Sequence, residues 1–226
     1  QALCGRHGES PLAVLAARAP SDCFETAIEA VRIATKFMIP VIVLSDGYIA
    51  NAAQPWQVPN VEAIPPFPVR FRREADGFEP YSRDPETLAR PWAIPGVPGL
   101  EHRIGGLEKD SVTGAISYDP GNHQRMTDLR AAKLDRITGD IPEQTVEIGP
   151  DSGPLAVVGW GSTYGPINRA VSSLIDRGYD VAHIHVRYLC PLPRNMGEVL
   201  RRYDRVLVPE MNKGQLVTIL RAQYLV

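Results

Sequence analysis

Cysteine is scarce in this sequence and scattered: Cys4, Cys23 and Cys190 are the three in 226 residues, and no two form a CxxC pair. That excludes a disulfide framework and leaves no ligand set for zinc or an iron–sulfur cluster within the chain. Cys23 falls in an apolar helical stretch and is expected to be a buried thiol. Such cysteine usage fits a reducing, cytoplasmic compartment. An excess of one charge is also missing. With a formal net charge of −2, there is no electrostatic case for nucleic acid or for an anionic membrane surface. No apolar run approaches the roughly 18 residues of a spanning helix. Glycine-rich phosphate loops, paired carboxylates and an activated nucleophile are absent, so no complete active site is written here. The chain begins at Gln1 without a signal peptide. It stops at Val226 while Leu216, Ile219, Leu220 and Leu225 still keep a helical pattern. A piece of a longer polypeptide is expected.

What is present is an alternation of short apolar runs with helices. Leu155 to Trp160 reads as a strand ending at Gly161-Ser162-Thr163. A helix with Ile167, Val171, Leu174 and Ile175 on one face follows and closes at Gly178. Val181 to Val186, a helix with Met196, Val199, Leu200 and Tyr203, and Val206-Leu207-Val208 complete the series. This is the pattern of βαβ units on a parallel sheet. The glycines at 159, 161 and 165 do not make a dinucleotide fingerprint. The last gap is four residues instead of three, and Val186 and Arg187 stand where an acidic residue would close the next strand. A tight strand-to-helix turn is the expectation.

The first 50 residues hold another βαβ unit. Leu12 to Ala17 is a buried-strand candidate, and Asp22 with Glu25 makes a capping box. A helix presents Phe24, Ala27, Ile28, Val31, Ala34 and Met38 on one face, and Pro40 precedes the strand Val41 to Leu44. Both strands are apolar enough to be covered on both faces. One such unit is not a domain, so its neighbours are expected from an upstream chain, the following arm or a partner subunit.

Residues 51 to 152 differ. Ten of the 21 prolines lie between Pro55 and Pro98, including the run Ile64-Pro65-Pro66-Phe67-Pro68, and exclude helix through most of that span. Trp56, Phe67, Phe71, Phe78, Tyr81 and Trp92 are too apolar for a loose tether, so an ordered extended arm is expected. Asn122 to Ile137 reads as an amphipathic helix capped by Asn122, and 138–154 as a polar linker.

Few side chains are placed for chemistry. His7 stands in a glycine-flanked turn beside Glu9, a pairing suited to proton transfer, but before its strand, at the edge opposite to where ligands bind in open α/β sheets. Asp46 follows a strand at its carboxyl end and is the better contact for a bound group, with an Asp-Gly turn as the plain alternative. His183 and His185 share one face of a strand without a third ligand, which favours packing over a metal. Glu210 and Asn212 suit backbone hydrogen bonding at a helix N-terminus.

The segments Gly159-Trp160-Gly161-Ser162-Thr163, Pro191-Leu192-Pro193 and Val208 to Leu216 (VPEMNKGQL) together resemble the transketolase C-terminal-like domain of 2-oxoacid:ferredoxin oxidoreductase α subunits, closest to the 2-oxoglutarate type. The turn Gly5-Arg6-His7-Gly8-Glu9, the helix from Ser21 to Phe37 and the strand Pro40 to Asp46 resemble the end of the thiamine-pyrimidine-binding domain of the same enzymes. Pro95-Gly96 through Gly99-Leu100-Glu101-His102 resembles a further family segment, with Arg103 where an acidic residue is usual. The resemblance implies an α/β fold of two doubly wound parallel-sheet domains joined by an extended Pro-rich arm. Residues 1–50 would be the C-terminal part of the thiamine-pyrimidine-binding domain, 51–152 the arm and linker with one helix, and 153–226 a truncated transketolase C-terminal-like domain. It implies oxidative decarboxylation of a 2-oxoacid to an acyl-CoA, with electrons passed to ferredoxin. Thiamine diphosphate, Mg²⁺ and a [4Fe–4S] cluster are expected mainly in a β subunit, coenzyme A as co-substrate, and (αβ)₂ as the assembly. The 2-oxoacid-binding motifs are expected upstream. No catalytic residue is named, no metal ligand is expected, and His7 and Asp46 are the cofactor-binding candidates. The corresponding region of a transketolase or 2-oxoacid dehydrogenase E1 subunit, and a non-catalytic α/β binding module, remain open alternatives.

Overall fold

A computed structural model of the chain describes residues 1–67 and 69–226; Pro68, the last of the proline run, lies outside the described residues. In chain order the elements are β1 (Ala13–Ala16), α1 (Cys23–Phe37), β2 (Val41–Leu44), α2 (Gly47–Asn51), β3 (Phe71–Arg72), β4 (Trp92–Ala93) and α3 (Pro120–Ile137). Then follow β5 (Val146–Ile148), β6 (Gly153–Trp160), α4 (Tyr164–Ile175), β7 (Ala182–Val186), β8 (Tyr188–Cys190), α5 (Met196–Arg201), β9 (Tyr203–Leu207) and α6 (Gln215–Tyr224). Two compact units emerge. One comprises Gln1–Ala13, Glu29–Val41 and Asn60–Asp140; the other Val14–Ile28, Ile42–Pro59 and Ile141–Val226. They interleave along the chain and so divide it differently from the three sequence segments.

The second unit carries the α/β architecture. Its four-stranded sheet has the order β5-β7-β6-β9, with β6 parallel to both β7 and β9. Val157, Ile167, Val171 and Val181 form a core cluster beside it, flanked by Ile148, Leu155 and Leu174. The helix α4 therefore buries the stripe its sequence marked. It closes at Gly178, whose φ of 84° is a left-handed conformation that glycine adopts without a Cβ penalty. The Tyr179 N–H returns to the Leu174 carbonyl at 3.0 Å. The polar stretch 138–154 was expected to be linker, yet Val146–Ile148 pairs antiparallel with β7. Gly149, at φ 98°, permits that approach, because a Cβ there would run into the backbone of Val181 and Ala182.

A three-stranded sheet, order β2-β1-β8, belongs to the same unit apart from the first residues of β1 and β2. Its third strand is a correction to the expectation that neighbours come from outside: Tyr188–Cys190 pairs antiparallel with β1. All four residues of β1 are buried, as a strand with a neighbour on each edge should be. The strand β2 is only partly buried and Val43 is 41% exposed, against the expectation of cover on both faces. It is an edge strand with one neighbour.

Helix α1, in which the division between units falls, also departs from its reading. Thr26, Ala30, Ile33 and Phe37 are its buried side, whereas Ala27 is exposed and Val31 is 43% exposed. Apolar residues occur on more than one side of this helix, so periodicity allowed two faces, and packing took the one with Ile33 and Phe37. Cys23 accordingly ends exposed rather than buried. Burial, then the nearby Asp22 charge, still raises its pKa.

Among the described residues of the first unit the arm has little regular structure: a 3₁₀ turn at Val61–Ala63 and the two-residue parallel pair β3 and β4. The Trp92 indole N–H donates to the Thr35 carbonyl at 3.0 Å, and Asp140 pairs with Arg32 at 2.5 Å and with Lys36. Helix α3 begins two residues earlier than expected. Asp119 caps it, accepting the Asn122 N–H at 2.6 Å, with Pro120 in the first turn. The Asn122 side chain, the expected cap, instead accepts from the Ser111 N–H and donates to the Lys109 carbonyl.

Candidate functional site

Two strand-end turns of the second unit meet through one hydrogen bond. Asp46 caps α2, its carboxylate accepting the Ile49 N–H at 2.9 Å. It also accepts the hydroxyl of Ser162, which sits in the turn Gly161–Thr163 after β6. Desolvation pushes the Asp46 pKa up, but the Ser162 hydroxyl and the Ile49 and Tyr48 N–H groups outweigh it and hold the carboxyl below its usual value. Asp46 is therefore an ionised, exposed acceptor at the carboxyl end of β2.

The glycines of the Gly159-to-Gly165 segment serve the turn itself. A Cβ on Gly159 would collide with Ile167 and stand 2.9 Å from Thr163 Oγ1. Gly161 takes φ 59°. The Thr163 hydroxyl donates to the Trp160 carbonyl at 2.6 Å, and its oxygen accepts the Trp160 N–H at 3.2 Å. Glu210 binds the N–H groups of Leu216 and Val217 and the Trp160 indole N–H at 3.1 Å. Asn212 accepts from the N–H groups of Gly214 and Gln215. Both residues thus satisfy the donors at the start of α6, as their place before a helix suggested. Desolvation raises the Glu210 carboxyl, and these hydrogen bonds more than reverse it.

A buried polar cluster forms where β1 and β7 end. Asp22 is 8% exposed. It does not cap α1 as expected: its carboxylate takes the Arg18 N–H at 3.0 Å, the Thr26 hydroxyl at 3.2 Å and the Arg187 guanidinium. Arg18 reaches Glu147 at 3.2 Å and lies 4.6 Å from the centre of the Tyr164 ring. That ring in turn packs on both His183 and His185, at 5.4 and 5.0 Å between centroids. The two imidazoles share a face of β7, as read from their alternation. Among the described residues none bonds their ring nitrogens. Burial, then the Arg18 charge, lowers His183 to about 4. Burial, then His183 and the two arginines, lowers His185 to about 3. Both are neutral at physiological pH. The sequence signal for Arg18 and Arg187 was a charge directly after a strand, wholly apolar before Arg18 and carrying His183 and His185 before Arg187. Glu147 carried none, because its strand was read as linker.

His7 belongs to the first unit, Asp46 to the second. The loop around His7 is held by Arg6, which donates to the Ser10 carbonyl at 2.9 Å, and by Arg130, which donates to the Glu9 carbonyl at 2.9 Å. The side chains of His7 and Glu9 are exposed. His102 contacts the Leu100 carbonyl at 2.8 Å and packs against Phe78. Among the described residues no group of three or more His, Cys, Asp or Glu side chains could hold a metal ion, and no helix is long and apolar enough to cross a membrane.

A family model described as "Pyruvate flavodoxin/ferredoxin oxidoreductase, thiamine diP-bdg" matches residues 2–117. Over 226 residues the chain is 56% identical to the 2-oxoglutarate oxidoreductase subunit KorA of Mycobacterium tuberculosis, covering 100% of this chain and 34% of that one. It is 32% identical to the α subunit of 2-oxoacid:ferredoxin oxidoreductase 1 of Aeropyrum pernix, over 93% of this chain and 33% of that one. Among solved structures, the 2-oxoglutarate:ferredoxin oxidoreductase of Magnetococcus marinus, with 2-oxoglutarate, coenzyme A and succinyl-CoA bound, matches with a TM-score of 0.91. There the identity is 30%, over 98% of this chain and 39% of that one. The chain thus spans about a third of the length of these curated relatives.

Proposed function

Because the chain belongs to the thiamine diphosphate-binding family of pyruvate flavodoxin/ferredoxin oxidoreductases, we propose that it is part of the α subunit of a 2-oxoglutarate:ferredoxin oxidoreductase. The reaction is oxidative decarboxylation of the 2-oxoacid to its acyl-CoA, with electrons leaving to ferredoxin. The observation that carries this reading is the 56% identity to a 2-oxoglutarate oxidoreductase subunit across all 226 residues, pyrimidine segment and C-terminal segment alike. The same reading places the end of the thiamine-pyrimidine domain in 1–50, the arm and linker in 51–152 and the transketolase C-terminal-like domain in 153–226. It places the protein in the cytoplasm, where the exposed thiols Cys4 and Cys23 stay reduced.

Thiamine diphosphate, when bound, supplies the electron sink for the carbanion left by carbon dioxide. The residues present fit one end of that cofactor. The ionised Asp46 carboxylate, fixed by Ser162 and the Ile49 N–H, is an acceptor suited to the amino group of the pyrimidine ring. The exposed imidazole of His7, in the first unit, is kept as a separate candidate for cofactor contact. The donor set for the diphosphate and Mg²⁺, and the [4Fe–4S] cluster, are assigned to a β subunit in an (αβ)₂ assembly.

The test uses the intact complex. Dye or ferredoxin reduction should require 2-oxoglutarate together with coenzyme A and should run far faster than with pyruvate. Asp46→Ala should weaken thiamine diphosphate binding by calorimetry about tenfold, the worth of a hydrogen bond to a charged group, without changing assembly. A complex that binds no thiamine diphosphate, or that prefers pyruvate, overturns the reading.

A further inference from the structure

The first compact unit contains a cavity of about 490 Å³ whose charged lining is almost all of one sign. Arg83, Arg90, Lys109, Arg130 and Lys133 face it against one carboxylate, Glu108. That carboxylate is already shared between Arg130 at 3.4 Å and His123 at 2.6 Å. The remaining cations have only neutral partners among the described residues. Lys133, 7% exposed, donates to the Met38 carbonyl at 3.2 Å. Lys109, 3% exposed, donates to the Gly105 and Leu107 carbonyls. Arg90 lies over the Tyr81 ring at 4.5 Å. Arg83 gives one terminal nitrogen to the Leu88 carbonyl at 3.1 Å, while its buried Nε has no partner.

Buried cations without counter-charges are costly, and guanidinium and ammonium donors converging on one space match a tetrahedral oxyanion. The volume lies in the usual range for a small organic ligand and far exceeds a bare phosphate. Leu12, Ile39 and Met126 supply apolar wall beside the cations. We propose that this cavity binds the phosphate group of a small phosphorylated ligand, with Lys133 and Arg83 as its principal donors. The site lies wholly within one unit and does not depend on the reaction proposed above.

A further property follows for the same pair. Burial, then the charges of Arg83 and Arg90, brings the Lys133 pKa down to about 7. Above that pH Lys133 is largely neutral, and an anion beside it draws a proton back. For an anion that does not itself titrate, affinity is therefore greatest below about pH 7 and falls as pH rises.

Calorimetry on the intact oxidoreductase with sulfate, which does not itself titrate in this range, tests both points. At pH 8, in two buffers of different ionisation enthalpy, sulfate should bind with uptake approaching one proton per site. Glycerol 3-phosphate should compete for it. Lys133→Met, which removes a buried charge and so spares the fold, should weaken binding about tenfold or more and abolish the proton uptake. Arg83→Gln should weaken binding and keep the uptake. Absence of binding, unchanged affinity and proton uptake in Lys133→Met, an adventitious ion only, or displacement by 2-oxoglutarate but not by the phosphate ester would each overturn the proposal.

Discussion

Lowering the pH from 6.5 to 4.5 is expected to remove about 5 kcal/mol of stability through two side chains, His183 and His185. Both imidazoles are buried on β7, at 0% and 5% exposure, and burial is the leading cause that holds their pKa values at about 4 and about 3. The unfolded chain binds these protons near pH 6.5. A depressed folded value means that the stability is fully present above 6.5 and is lost as pH falls towards 4 and 3. Two units below 6.5, each neutral histidine has cost the folded state about 2.7 kcal/mol, at about 1.4 kcal/mol per unit. Against a typical domain stability of about 5–15 kcal/mol, that is enough to open the second unit. Urea midpoints measured from pH 7 to 4 for the parent and for His183→Leu/His185→Leu isolate the effect. The double variant should show a markedly flatter pH dependence. Parallel curves would mean that the imidazoles gain protons in place and that this account of their burial is wrong.

The second large effect is expected at Asp22. Its carboxylate joins the Arg18 backbone, Thr26 and Arg187, and so ties the start of α1 to the residues that follow β1 and β7. Asp22→Ala leaves the Arg187 guanidinium, with 27% of its side chain exposed, beside Thr26 without its counter-charge. Breaking a buried pair costs about 3–5 kcal/mol, and the partial exposure of Arg187 puts the expected loss at the lower end, about 3 kcal/mol. Asp22→Asn keeps acceptors for Arg18 and Thr26 and should lose about half as much. Replacing both partners, as in Asp22→Ala/Arg187→Met, should recover part of the loss, because no charge is then stranded. Chemical unfolding of the parent, Asp22→Ala, Arg187→Met and the double variant closes the cycle and gives the coupling directly. A loss under 1 kcal/mol for Asp22→Ala would show that the carboxylate is only a surface acceptor.

These two clusters mark where local pattern stopped being informative. The alternation of strand and helix from Leu155 to Leu216, the close of α4 at Gly178, the shared face of His183 and His185, and the capping by Glu210 and Asn212 were all legible in the sequence. Each depends on residues a few positions apart, where period and backbone chemistry decide the outcome. Only tertiary structure decided that Tyr188–Cys190 flanks β1, that Glu147 sits on an edge strand within reach of Arg18, and that Asp22 answers Arg187, 165 residues away. The inward face of α1 belongs with these. Its apolar residues allowed two faces, and burial of Ile33 and Phe37 rather than Val31 was settled by what packs against the helix. The cationic cavity is the extreme case. Its five basic residues are spread from Arg83 to Lys133, a stretch whose acidic residues balance its basic ones overall. Folding turns the acids elsewhere and gathers the cations around one space. Sequence therefore determined the main helices and strands and the family, because those rest on local pattern and contiguous motifs, while β5 and β8 did not show in it. The charge environments were decided in three dimensions, because burial and the distance between charges, not their order in the chain, set electrostatic energy.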